Sequence, residues 1–78
     1  MQTLDLASQL HERLAMLLEV EPSAIDDDSP FADFGVDSMM RLELVALVEQ
    51  HLGFEIPERD LGQMQTVNQV LTYVGRQS

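Results

Sequence analysis

The sequence predicts an all-α fold of three main helices and one short helix, with a long first loop. Three observations carry this. Apolar residues recur at steps of three and four in three separate blocks, prolines and glycines fall between those blocks, and no alternating run is long enough for a strand.

The first block holds Leu6, Leu10, Leu14 and Leu17 with Leu18, which gives one apolar face to a helix from Thr3 to Val20. It must stop near Pro22, because the residue before a proline is biased away from helix. From Glu21 to Asp37 the string EPSAIDDDSPFADFGVD carries two prolines, a glycine and five aspartates, which is loop chemistry. Loops this long in compact domains are functional or disordered. Ile25, Phe31 and Phe34 argue for order, since they can pin the loop to a core.

The second helix is expected from Ser38 to Leu52. Leu44, Val45, Val48 and Leu52 lie on one side, with Leu47 and Met40 on the flank. Gly53 supplies a left-handed terminator, and Phe54 is expected to fold back on Val48. The segment EIPERDL suits a short third helix with Pro57 in its first turn and Glu58 at the positive dipole end. Thr66 and Gln69 form a capping-box pattern ahead of Val67, Val70, Leu71 and Val74.

Composition narrows the chemistry. The 78 residues carry 14 acids against 4 basic residues, a formal net charge of -10, and all four cations are arginines. That balance repels nucleic acid and anionic lipid and favours basic protein surfaces. With no cysteine there is neither a disulfide framework nor a thiolate metal site. The start MQTLDLASQL has no cationic flank or unbroken apolar run, so a cytoplasmic, monomeric, single-domain chain spanning residues 1–78 is the expectation.

The junction FADFGVDSMMRLELV holds the question of function, because an exposed serine sits where Asp37 alone could cap a helix. Either Asp37 or Ser38 could serve as the N-cap. No catalytic residue is assigned: GVDSM is no G-x-S-x-G elbow, and His51 lies about 20 Å down the same helix from Ser38. No metal-ligand set is assigned either. Pro30 stands where a calcium loop needs its third ligand, so the acid run reads as a solvated loop. Weak divalent binding near Asp26, Asp27 and Asp28, or near Asp33 and Asp37, is expected to raise the melting temperature.

Taken together, Phe31, Gly35, Asp37, Ser38, Met39, Glu43 and Leu44, spaced as F-x-x-x-G-x-D-S-apolar with E-L following, resemble the acyl carrier protein family. The likeness covers nearly the whole chain. It implies a small four-helix bundle in which Ser38, flanked by Asp37, receives 4'-phosphopantetheine from coenzyme A through a phosphopantetheinyl transferase. A phosphodiester there would lie at the positive end of the helix. The chain itself would be a carrier and not an enzyme, holding acyl groups as thioesters for ligases, ketosynthases or acyltransferases.

The resemblance also places partner contacts on Met39, Glu43, Ala46 and Gln50, one stripe away from the core face. GVDS is closer to polyketide and fatty-acid carriers than to the G-G-x-S of peptidyl carriers. Met40 and Gln50 stand where bacterial fatty-acid carriers commonly have acids, and Arg41 adds a cation, which points to a specialised polyketide-like or fatty-acyl pathway. The alternatives are an aminoacyl or peptidyl carrier and an acidic helical interaction domain without cofactor.

Overall fold

A computed structural model describes residues 5–77. Among them are three α-helices, α1 (Leu6–Leu18), α2 (Ser38–Leu52) and α3 (Val67–Arg76), and no strand. Short 3-10 helices occupy Pro22–Ala24, Phe31–Phe34 and Glu58–Gln63. The last of these is the expected short helix, so the chain is a small four-helix bundle of three main helices and one short one.

The core is made where the apolar stripes meet. Leu6, Leu10 and Leu14 of α1 face Leu44 and Val48 of α2 and Val67, Val70 and Tyr73 of α3. Ile25 and Phe31 join from the long loop, as the sequence predicts, and Phe34 packs against them half-buried. Along α1 the contact follows the i+4 line from Leu6 through Leu10 and Leu14 to Leu18. That ridge drifts round the helix, which leaves Leu17 half-buried outside the packed cluster.

Thr3, the expected start of the first helix, lies outside the described residues. Asp5 caps α1, its carboxylate accepting the Ser8 N–H at 2.8 Å, and that bond holds the Asp5 pKa below its ordinary value. The helix ends at Leu18, two residues before the expected Val20, because Glu19 turns left-handed at φ 59° and the Val20 N–H closes back on the Ala15 carbonyl at 3.0 Å. A side chain in that region is strained. Glu19→Gly is therefore expected to stabilise the fold by about 0.5–1 kcal/mol. An unchanged or lower urea midpoint would show that the turn is not strained.

After α2, Gly53 terminates the helix at φ 85° as anticipated, but the next contact differs. Phe54 is 46% exposed, and Ile56 is the residue after the turn that is buried in the core. The Glu49 carboxylate accepts the Ile56 N–H at 2.8 Å, which aims the chain so that Ile56 enters the core. Pro57 stands just before the short 3-10 helix and not within its first turn, and its carbonyl accepts the Asp60 N–H at 2.9 Å.

Thr66 caps α3 by accepting the Gln69 N–H at 3.0 Å. The reciprocal half of the expected box falls one residue early, since Gln69 Oε1 accepts from Gln65 N–H at 2.8 Å. On the inner face the Tyr73 hydroxyl donates to Asp60 at 2.7 Å, and this bond, followed by burial, raises the phenol pKa above its ordinary 10.0. The neutral phenol is favoured by folding, so its contribution is complete below pH 10.0 and is lost as pH rises through the higher folded value. Tyr73→Phe should lower the melting midpoint at neutral pH, and the gap to wild type should narrow in strong alkali. A gap independent of pH would remove the hydroxyl as its cause.

Candidate functional site

The long loop is held on both sides before it reaches α2. The Phe31 N–H donates to the Gln65 carbonyl at 2.7 Å and the Asn68 N–H to the Asp27 carbonyl at 3.0 Å, tying the loop to the start of α3. His11 of α1 pairs with the Asp27 carboxylate, and the Asn68 amide donates to Asp28. Asp26 accepts from the Asp28 N–H and the Ser29 hydroxyl, which lowers its pKa.

The acid run is thus engaged internally. Among the described residues no group of three or more His, Cys, Asp or Glu side chains is placed to hold a metal ion, so no ready-made cage of that size stands near Asp26, Asp27 and Asp28 or near Asp33 and Asp37. Charge repulsion remains. Added salt should raise the melting temperature through screening, with divalent cations adding nothing beyond matched ionic strength. A specific gain from millimolar calcium would contradict this.

The 3-10 turn Phe31–Phe34 is stopped by Gly35 in the left-handed region at φ 83°, where glycine carries no Cβ penalty. Its N–H donates to the Ala32 carbonyl at 3.1 Å, and Val36 then packs half-buried. This delivers Asp37 in extended conformation as the N-cap of α2, its carboxylate accepting the Met40 N–H at 2.9 Å and its carbonyl the Arg41 N–H at 2.9 Å.

Ser38 is therefore the first helical residue and not the cap. It is exposed, and its hydroxyl makes no hydrogen bond to the described residues. The N–H groups of Ser38 and Met39 precede the first acceptors of the helix and point outward at its positive end. Such an alcohol can be esterified without breaking a structural bond. A phosphoester formed there meets two unpaired donors, while the neighbouring Asp37 charge is turned back onto Met40.

Below Ser38, Met39, Glu43, Ala46 and Gln50 are all exposed on one side of α2. Glu43 is not free: Arg13 Nη1 of α1 approaches its carboxylate at 3.4 Å. Two further features of α2 escape the sequence reading. Leu42 is 64% exposed beside Met39 at 74%. A helical wheel sets Leu42 about 60° from Met39 and about 40° from Ala46, so its place on the outer face was legible. Arg41 lines an apolar crevice on the opposite flank, which depends on the fold of Glu58–Gln63. No helix among the described residues is long and apolar enough to cross a membrane.

Comparison with known proteins agrees with this geometry. Residues 8–74 match the family model described as a phosphopantetheine attachment site. The acyl carrier protein of Chlamydia caviae is 38% identical over 58 residues, which is 73% of this chain and 75% of that protein. The 3-methylorcinaldehyde synthase tropA of Talaromyces stipitatus is 36% identical over 66 residues, 85% of this chain but 2% of the much longer synthase. With a helical bundle, an exposed alcohol at a helix start and a match spanning nearly every described residue, this chain belongs to the phosphopantetheine-binding acyl carrier protein family, whose cofactor is covalently held 4'-phosphopantetheine.

Proposed function

We propose that Ser38 is the attachment residue and that the chain is a carrier, not an enzyme, for acyl intermediates. The observation that carries this reading is the division of labour at the junction: Asp37 makes the cap bond, which leaves the Ser38 hydroxyl exposed and uncommitted. The Ser38 oxygen attacks the pantetheine-side phosphorus of coenzyme A, the pyrophosphate P–O bond breaks, adenosine 3',5'-bisphosphate leaves, and the hydroxyl proton passes to a base of the transferase or to solvent. When bound, the arm supplies a thiol that holds the acyl group as a thioester. The protein contributes orientation of the serine, two N–H donors for the phosphodiester, and a surface for partner enzymes.

Incubation with coenzyme A and a broad-specificity transferase, followed by intact mass and peptide mapping, tests the assignment. The mass gain should map to the peptide holding Ser38. A gain on another residue, or none where a control carrier loads, would overturn it.

The pathway reading is a specialised polyketide-like or fatty-acyl one, supported by GVDS and by the two relatives together. Loading by an amino-acid-activating enzyme in preference to acyl-loading enzymes would move the chain to the aminoacyl or peptidyl class. We place partner docking on Met39, Glu43, Ala46 and Gln50, extended by Leu42, whose exposed apolar side chain adds adaptable contact area beside Met39. Glu43→Lys should slow transfer from basic partners chiefly through the association rate, most at low salt. It also breaks the pairing with Arg13, at a cost of at most about 1 kcal/mol for so exposed a pair. Unchanged transfer at low salt with several cognate enzymes would take Glu43 out of the interface.

A further inference from the structure

A narrow apolar crevice lies between α2 and the Glu58–Gln63 helix, walled by Val45 and Val48 on one side and Leu61 and Met64 on the other. Its enclosed volume is about 20 Å³, room for a single small group. A long hydrocarbon chain does not fit without the walls parting.

One polar side chain lines this crevice, and it is a cation. Arg41 is half-buried, and its Nη2 donates to the Leu61 carbonyl at 3.4 Å, a long contact that leaves most of the guanidinium donors unused. Although the chain carries a formal charge of -10, Arg41 is paired with no carboxylate among the described residues. Arg13, also half-buried, is engaged by Glu43, whereas Arg59 and Arg76 are exposed and Arg76 donates to the neutral Gln63 amide, so among the described residues Arg41 is the half-buried arginine without a carboxylate. Arg41 sits one turn below Ser38, about 4.5 Å along the axis and about 60° round it, on the flank away from Met39 and Glu43.

We propose that Arg41 is a specificity residue that receives the carboxylate of a short dicarboxylic acyl group carried on Ser38. This rests on the attachment reading above. A guanidinium against apolar walls is weakly hydrated and offers a planar fork matched to a carboxylate. The small crevice accepts the short methylene spacer of such a group and little more. A neutral acyl group of equal length leaves the guanidinium as it stands.

The charge balance makes the test discriminating. Adding a carboxylate to a chain this acidic should destabilise it unless the new charge is paired. Wild type is loaded by the transferase with succinyl- or butyryl-coenzyme A, loading is checked by intact mass, and both forms are melted. The succinyl form should melt about 3–6 °C above the butyryl form at low salt, the gap should shrink at high salt, and the Arg41 side-chain Nε–H and Leu61 amide resonances should move only with succinyl. Arg41→Met should abolish the gap and Arg41→Lys should keep part of it.

Full loading with equal or reversed melting order in wild type overturns the proposal and leaves the Ser38 assignment intact. So does an acetoacetyl form that melts as high as the succinyl form, since it bears no carboxylate. Failure of both groups to load overturns the two readings together. The decisive comparison is between loaded forms of the folded wild type, so a poorly folding variant does not protect the proposal.

Discussion

Ser38→Ala is expected to abolish all mass gain with coenzyme A and transferase while leaving helical circular dichroism and the urea midpoint unchanged within about 0.5 kcal/mol. The sequence alone allowed a cost of about 1–2 kcal/mol, because the serine was a possible cap. The structure assigns that bond to Asp37, so alanine at the first helical position loses no hydrogen bond within the described residues. Asp37→Ala should show the converse, losing about 0.5–2 kcal/mol of stability while keeping its alcohol. Ser38→Thr should fold normally and load poorly, because its methyl group crowds the attacking oxygen and restricts its rotamer. A Ser38→Ala protein that still gains the arm would refute the assignment of this serine.

Leu10→Ala should have the largest effect on the fold. Leu10 is 0% exposed at the centre of α1, within the cluster shared by all three helices. Truncating such a leucine costs about 2–5 kcal/mol in lost transfer energy and cavity formation. A core in a domain of this size supplies only about 3–5 kcal/mol in all, so the variant should be largely unfolded at 37 °C. The loss should be partly recovered by salt, which screens the repulsion of a chain with net charge -10. Leu42→Ala is the control: with the same residue removed from an exposed position of α2, its midpoint should move little. Equal losses for both would mean that Leu10 is not the core residue described.

The two pairs of variants separate what the junction does from what the core does. Ser38 and Asp37 are neighbours in sequence with opposite expected phenotypes, one in loading and the other in stability. That separation allows a serine to be modified without cost to the helix it begins. It also explains the preceding loop: Phe31 buried, Gly35 left-handed and Asp37 extended are the three backbone commitments that set the cap in place.

The bounds of α2 and the helical nature of all three blocks follow from the sequence by itself, because they depend on interactions a few residues long. Asp37 before an apolar run, Gly53 after it, and Thr66 before Val67 are local signals, and each stands where the sequence put it. The resemblance carried by Gly35, Asp37, Ser38 and Met39 is likewise a matter of adjacent residues. Only the tertiary structure decided which of Asp37 and Ser38 caps, that Ile56 and not Phe54 enters the core, that His11 holds Asp27, and that Arg41 stands without a carboxylate beside a crevice. Each of those depends on groups distant in sequence, such as Gln65 against Phe31 or Leu61 against Arg41, or on a competition between two equally plausible neighbours. A local pattern cannot rank such choices, since the free energy that separates them comes from burial and pairing that exist only once the helices have met.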